Sequence, residues 1–211
     1  MTNKRDPVET RKMILKAAIY EFSAKGYNGA RIENITSRSG TSTRMIYHYF
    51  GGKEKLYIAT LEHVLGELRE EELKQDITGE EPLEGMLKLF DFIQNHFATH
   101  PNLVSLMSTE NILKARYLKK SSRIREHSSS LIKLIGELLM RGMDKGVFRP
   151  GLKPLQLYVA MVSLSYFHLS NAHTLSTLFQ KDILSKEWRK DYRAQARCML
   201  IGYLKTPTLR S

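Results

Sequence analysis

Residues 26–53 constrain the fold more than any other part of the chain; they read GYNGARIENITSRSGTSTRMIYHYFGGK. Ile32 and Ile35 lie one helical turn apart, and Ile46 and Phe50 lie four residues apart. Each pair predicts a short helix with one buried face, and the glycine between the pairs predicts a tight turn. Two short helices joined by a tight turn are the pattern of a helix-turn-helix, whose second helix enters the major groove of DNA.

A longer helix is predicted ahead of this run. Asp6 is a favourable N-cap, Pro7 suits the first helical position, and Glu9 follows the cap by three residues. Gly26 stands where this helix must stop, because glycine is common at helix C-termini. Its apolar stripe consists of Ile14, Ala17, Ala18 and Phe22.

The predicted third helix, which Ser42 is placed to cap, has an outward face that suits DNA. At about 100° per residue, Arg44, Tyr47 and His48 fall opposite the apolar pair. Arg44 could bond a guanine edge or a phosphate, and His48 a base edge or a phosphate. The hydroxyls of Ser42, Thr43 and Tyr47 are donors for phosphate oxygens. Taken alone, Arg44 or Lys53 is more typical of a solvated surface charge than of a DNA contact, but together these residues favour DNA binding.

The stretch from Val8 to Leu68 resembles the TetR family of bacterial transcriptional regulators. The matching segments are FSAKGYNGARIENI and, from Ser42 to Tyr57, SxxxIYHYFxxKExLY. The resemblance implies an all-α homodimer. Its N-terminal helix-turn-helix domain of three helices would precede a larger C-terminal helical domain that dimerises through a four-helix bundle. The DNA contacts that it implies are Arg31, Ser42, Thr43, Arg44, Tyr47, His48 and Lys53.

Two residues depart from the family pattern. Ala30 stands where a threonine often caps the second helix, and Thr41 stands where a valine usually packs. The first departure predicts a weaker cap for the second helix, and the second predicts a slightly weaker core under the turn.

The composition agrees with this interpretation. The net charge of +11 favours an anionic partner such as double-stranded DNA. No apolar run reaches about eighteen residues, so no membrane span is expected, and the charged N-terminal residues do not form a secretory signal. Cys198 is the only cysteine, which fits a reducing cytoplasm, and its apolar neighbours predict that it is buried.

From Glu54 onward the chain is predicted to consist of successive helices. A linking helix over Lys53–Gln75 ends before the turn-rich ITGEEP segment, which predicts a domain boundary. The predicted domains are a DNA-binding domain at 1–52, the linking helix at 53–76, and an effector-binding and dimerisation domain at 77–211. The later helices are predicted at Leu83–His100, Leu103–Leu118, Arg123–Lys145, Leu155–Asn171 and Lys186–Lys205, with no assignment for Thr174–Lys181.

The last two of these helices are candidates for the dimer interface. Leu155–Asn171 is apolar nearly all round, with small residues that permit close approach, so it is either central to a large core or shared between subunits. The resemblance to the family implies the second arrangement. A twofold dimer would present two reading helices to successive major grooves, so its operator should be an inverted repeat.

Aromatic and methionine side chains, with polar groups among them, are predicted to line a pocket for a small-molecule effector. The alternative for the apolar members is plain core packing. The candidate pocket residues are Met86, Phe90, His96, Phe97, Met107, Asn111, Met161, Phe167 and His168.

Two further clusters have a functional and a structural interpretation. His96 and His100 are four apart, which is a metal-ligand spacing, but no local Glu or Cys accompanies them, so surface or capping roles are expected. A basic run is either a solvated corner or an anion site for DNA phosphates or an acidic effector such as an acyl-CoA. This basic run comprises Lys114, Arg116, Lys119, Lys120, Arg123 and Arg125.

The sequence therefore predicts a ligand-responsive, sequence-specific transcriptional regulator. Repression that a ligand relieves is the more typical behaviour in the family, and activation is the alternative. No Gly-rich phosphate loop, HExxH or GxSxG motif is present, so neither an enzyme nor a cofactor is expected. The alternative is an architectural DNA-binding protein without an effector. The effector and the operator sequence do not follow from the sequence.

Overall fold

The computed structural model describes residues 6–75, 77 and 79–206, and this part of the chain is helical without strands. The all-α prediction is confirmed. The helices are α1 Pro7–Gly29, α2 Ile32–Ser39, α3 Thr43–Phe50, α4 Lys53–Lys74, α5 Pro82–Thr99, α6 Pro101–Ile112, α7 Arg123–Asp144, α8 Pro154–Ser170, α9 Ala172–Phe179 and α10 Lys186–Lys205. A single turn of 3₁₀ helix, Leu118–Lys120, lies between α6 and α7.

The helices form two compact units. The first contains the described residues up to Glu67 together with Pro101–Arg125, and in it α1 packs against α2 and α6, while α2 packs against α3. The second contains Leu68–His100 and the described residues from Glu126 onward, with α5 packed against α8 and α10. The predicted domains are continuous in sequence, whereas these units are not. The predicted boundaries stay predictions, and residue 76 lies outside the described residues.

The predicted start of α1 is confirmed, and the predicted stop at Gly26 is a kink three residues before the helix ends. Asp6 is the N-cap, and its carboxylate accepts a hydrogen bond at 3.0 Å from the backbone N–H of Val8. Gly26 leaves the helical conformation at φ 64° and ψ 178°, so the backbone kinks there before a last turn that runs to Gly29. A positive φ of this size is readily adopted only by glycine.

The predicted extension of α6 to Leu118 is wrong. The helix ends at Ile112, because Lys114 and Ala115 adopt left-handed φ values of 55° and 56°. The buried carboxylate of Glu110 then accepts hydrogen bonds from the backbone N–H groups of Tyr117 and Leu118, at 3.2 and 3.1 Å. These bonds hold the chain after the turn.

Near the C-terminus, the structure adds one helix that was not assigned and corrects one expectation. The unassigned segment around Thr174–Lys181 contains α9, which ends at Gln180 in the left-handed conformation at φ 50°. Cys198 is exposed rather than buried. The buried residues of α10 are Ala196, Leu200 and Leu204, and Cys198 lies about 200° around the helix from Ala196.

None of the described helices is long and apolar enough to cross a membrane.

Candidate functional site

The turn between α2 and α3 has the geometry of a helix-turn-helix. Gly40 ends α2 in the left-handed conformation, at φ 61°. The backbone N–H of Thr41 then donates to the carbonyl of Thr36 at 3.1 Å. The Thr41 hydroxyl lies 2.8 Å from that of Ser39. Thr41 therefore supports the turn through a hydrogen bond, at a position where the family pattern has an apolar side chain.

The inner faces of α2 and α3 are anchored by the predicted apolar residues. Ile35 and Ile46 are fully buried, and Phe50 is nearly so. The guanidinium of Arg11 lies 5.0 Å from the centre of the Phe50 ring, a cation–π contact between α1 and α3. Burial of these side chains fixes which face of α3 points outward.

A residue from α1 stabilises the start of α2. The carboxylate of Glu21, itself buried, accepts a hydrogen bond from the backbone N–H of Arg31 at 3.2 Å and from the side-chain amide of Asn34 at 2.8 Å. Arg31 is the N-cap residue of α2, and a negative charge at a helix N-terminus is favourable. The predicted weak cap at Ala30 is thus compensated by Glu21, which the sequence interpretation did not identify.

The outer face of α3 carries the predicted DNA-contacting side chains. Thr43, Arg44 and His48 are exposed, and Tyr47 is 58% exposed. Ser42 occupies the predicted N-cap position, but its side chain makes no capping hydrogen bond to the helix. Its hydroxyl is therefore available to a ligand at the start of α3.

The other two predicted DNA-contacting residues lie on neighbouring segments. Arg31 precedes α2 and is exposed. Lys53 begins α4 and is partly buried, with its ammonium 4.9 Å from the centre of the Tyr27 ring. The structure thus gathers the predicted DNA-contacting residues within the first compact unit.

The basic run is partly engaged by neighbours within that unit. Lys120 forms a salt bridge with Glu54 of α4 at 2.5 Å. The charged groups of Arg116 and Lys120 lie 5.7 and 5.6 Å from the centre of the Tyr117 ring. Burial, and next a hydrogen bond with Tyr27, raise the pKa of Tyr117 to about 12. Lys114, Lys119 and Arg123 are exposed, and the side chain of Arg125 lies outside the described residues.

The predicted pocket residues separate between the two units. Met107, partly buried, and Asn111, exposed, belong to the first unit. The others belong to the second unit, where Phe167 is 56% exposed and His168 partly buried. Met86, Phe90, His96, Phe97 and Met161 are buried in the second unit. The role of these residues in effector binding stays a prediction.

His96 and His100 do not form a metal site with the described residues around them. Their rings stack with centroids 3.9 Å apart, and His100 Nδ1 lies 2.8 Å from the carbonyl oxygen of His96. His96 Nδ1 lies 3.2 Å from the carboxylate of Glu71. Burial lowers the pKa of His96, and the charge of His100 does so next. No group of three or more His, Cys, Asp or Glu in the described part of the chain is arranged to hold a metal.

A buried polar cluster in the second unit was also missed by the sequence interpretation. The Arg69 guanidinium donates to the carboxylate of Glu72 and to the hydroxyl of Tyr158 on α8. Glu72 is fully buried, and burial raises its pKa against the opposing effect of Arg69. Arg69 and Glu72 are three residues apart on α4. Tyr158 joins them only because α8 packs beside the end of α4, and the sequence spacing does not predict that contact.

Family models match both parts of the chain. Residues 14–60 match the model for bacterial regulatory proteins of the tetR family, and residues 82–199 match the tetracyclin repressor-like C-terminal domain. The chain is 36% identical over 183 residues to the HTH-type transcriptional repressor NicS of Pseudomonas putida. The aligned residues cover 87% of this chain and 86% of NicS. The chain is 25% identical to the HTH-type transcriptional repressor SCO4008 of Streptomyces coelicolor, covering 76% and 79% of the two chains.

Solved structures share the fold. The putative transcriptional regulator SCO4942 of Streptomyces coelicolor superposes with a TM-score of 0.69 at 21% identity, covering 94% of this chain and 99% of that one. The regulator FadR of Bacillus subtilis, solved with stearoyl-CoA, superposes with a TM-score of 0.64 at 17% identity, covering 92% and 99%. The chain is a DNA-binding transcriptional regulator that belongs to the TetR family of bacterial regulatory proteins.

Proposed function

We propose that the protein is a cytoplasmic repressor that binds an inverted-repeat operator as a homodimer and leaves it when a small molecule binds. The observation that carries the proposal is the exposed outer face of α3, which presents Arg44, Tyr47 and His48 opposite the buried Ile46 and Phe50. NicS and SCO4008 are both named transcriptional repressors, which supports repression rather than activation.

The residues on and around α3 divide into two kinds of contact. Arg44 and His48 are the second and sixth residues of α3 and lie on its exposed face, from which side chains reach base edges. Arginine bonds guanine with two parallel hydrogen bonds. Ser42, Thr43 and Tyr47 offer hydroxyl donors to phosphate oxygens, and Arg31 and Lys53 supply cations on either side. Phosphate contacts set the register of the helix in the groove, and base contacts select the sequence.

Exposed apolar residues support the homodimer. On α8, Leu155 and Val159 lie four residues apart and are 60% and 54% exposed, and Phe167 continues the same stripe. On α10, Met199 and Tyr203 are likewise four apart and exposed. An apolar stripe of this kind is unfavourable in water and marks an interaction surface. A second copy that pairs α8 and α10 with its own would cover both stripes in a four-helix bundle.

The small-molecule effector is supported by the C-terminal family match, which spans residues 82–199. FadR of Bacillus subtilis, a structure with the same fold, holds stearoyl-CoA. A ligand lowers DNA affinity only by as much as it prefers the conformation that does not bind DNA. We propose that α4, which carries Lys53 in its first turn, transmits the ligand-induced change in conformation to α3.

The test is operator release. The protein is bound to DNA fragments chosen from a random duplex pool, and a library of small metabolites is then added to the complex. Release by a compound that binds the free protein with matching affinity supports a ligand-responsive repressor. Weak sequence preference together with an affinity that no compound changes would instead indicate an architectural DNA-binding protein.

A further inference from the structure

A cavity of about 410 Å³ opens in the second unit between α5, α8 and α10. Of the predicted pocket residues, only His168 lines it, so it was not identified as a site from the sequence. Its lining residues are Gln94, Asn95 and Ala98 of α5, His168 of α8, and Lys186, Arg189, Lys190, Tyr192 and Arg193 of α10.

The charge of the cavity wall is strongly positive. Lys186, Arg189, Lys190 and Arg193 follow one another at intervals that place them on one face of α10, and the lining contains no Asp or Glu. Arg193 donates to the backbone carbonyl of Asp91 at 2.9 Å. The other three cations form no salt bridge with any described residue. Such a cluster is self-repelling, and an anion would relieve the repulsion.

Gln94, one of the residues that line the cavity, carries a buried amide. Gln94 is only 7% exposed, yet neither its amide nitrogen nor its oxygen has a hydrogen-bond partner among the described residues. A buried polar group without a partner is unfavourable and uncommon in native proteins. A ligand with a polar group beside Gln94 would satisfy it.

Tyr192 and His168 are the aromatic residues of the cavity lining, and Trp188 stacks on Tyr192 without lining the cavity itself. The rings of Trp188 and Tyr192 are stacked with centroids 4.8 Å apart, and the His168 ring lies 4.5 Å from that of Tyr192. Burial, and next the charge of Arg189, lower the pKa of His168 to about 4, so its ring is neutral at neutral pH. The two lining rings are tilted by 47° to each other and offer a mainly apolar surface to the body of a ligand.

We propose that this cavity binds a small organic anion, with its carboxylate on Arg189 and Lys190 and its body against Tyr192 and His168. Gln94 then hydrogen-bonds a polar group of the ligand and fixes its orientation. The inference rests on the proposed function, because it names the chemical class of the effector. It differs from a general basic surface in requiring both the cations and the buried amide.

The experiment uses Trp188, the only tryptophan of the chain, as a reporter because its ring stacks on Tyr192 of the cavity lining. The full-length protein is titrated with benzoate at constant ionic strength, and tryptophan emission is recorded. Benzamide, which has the same shape without the charge, is the matched probe. We expect a saturable change with benzoate and at least about tenfold weaker binding of benzamide, since hydrogen bonds to charged groups are the stronger ones.

Variants of the lining residues locate the binding. Arg189→Gln should weaken benzoate binding by about tenfold or more. Lys205→Gln, which removes one charge from an exposed position on the same helix outside the cavity, should leave it unchanged. Gln94→Leu should weaken binding while leaving the thermal midpoint unchanged or raising it, because it removes an unsatisfied amide.

Any of three results would overturn the inference. Tryptophan emission could show no saturable change with benzoate, or benzamide could bind as tightly as benzoate. Arg189→Gln and Lys205→Gln could also weaken benzoate binding equally. Operator binding is measured separately on the same preparations. If the protein selects an operator and is released by another class of compound while benzoate does not bind, only this inference fails. If it selects no operator, the proposed function fails, whatever benzoate does.

Discussion

The carboxylate of Glu21 in α1 accepts a hydrogen bond at 3.2 Å from the backbone N–H of Arg31, which occupies the N-cap position of α2. The contact joins α1 to the start of α2, and no local sequence pattern predicts it. It places a negative charge at the N-terminus of the helix that supports α3, which is where the helix dipole favours such a charge. The reading helix therefore depends on a side chain that touches no DNA in the proposed complex.

Glu21→Gln should lower the free energy of unfolding by about 1–2 kcal/mol, since a buried hydrogen-bonded charge at a helix start is lost. Chemical denaturation of the purified protein measures this. Glu33→Gln removes an exposed charge from the first turn of the same helix and is the matched control. An equal loss in both variants would mean that general charge, rather than the contact with Arg31, stabilises α2.

Arg44→Ala should weaken operator binding by about 1–3 kcal/mol and relax preference at one base pair per half-site, if Arg44 bonds a guanine. The thermal midpoint should not change, because the side chain is exposed. Binding to operators with single base substitutions, measured at fixed salt, tests this. Lys16→Ala removes an exposed cation from α1 as a control. Uniform weakening across all operators would assign Arg44 to a phosphate.

Val159→Lys should dissociate the proposed dimer, because it buries an unpaired charge in the stripe on α8. Analytical ultracentrifugation over a range of protein concentrations measures the shift towards monomer. Ile112→Lys, which replaces an exposed apolar residue at the end of α6, should leave the association unchanged. A variant at Val159 that associates as tightly as the unchanged protein would show that the interface lies elsewhere.

His168 should make stability depend on pH. Its pKa in the folded protein is lowered from 6.5 to about 4, mainly by burial. The unfolded chain therefore binds more protons between these values, and stability should fall as the pH decreases from about 6.5 towards about 4. The loss of unfolding free energy between about pH 7 and about pH 5 should be smaller in His168→Gln than in the exposed-site control His173→Gln. Equal losses would contradict the role of His168.

The helix-turn-helix was predictable because its determinants are local. Asp6 starts α1 through its side chain, and Gly26 and Gly40 interrupt helical backbone through their positive φ. Ile46 and Phe50 identify the inner face of α3 by spacing alone. With one face buried, the exposed face follows from helix geometry.

The failures involve contacts between residues that are distant in sequence or lack a local marker. The end of α6 has neither glycine nor proline; non-glycine residues take the left-handed conformation there, and the chain beyond is bonded to Glu110. The burial of Cys198 was misjudged because its neighbours are apolar, although the inner line of α10 passes through Ala196 and Leu200. The cavity beside Gln94 is formed by three separate helices, and no sequence pattern specifies their packing.

Selection of random DNA duplexes by the full-length protein, followed by sequencing of the bound fraction, tests the central claim most directly. A homodimer that reads DNA with α3 should enrich an inverted repeat with half-site centres about one helical turn of DNA apart, or a multiple of that distance. In Arg44→Ala, the enrichment should relax at one symmetry-related pair of positions. Recovery of no common sequence, or of a motif without twofold symmetry, would contradict the account.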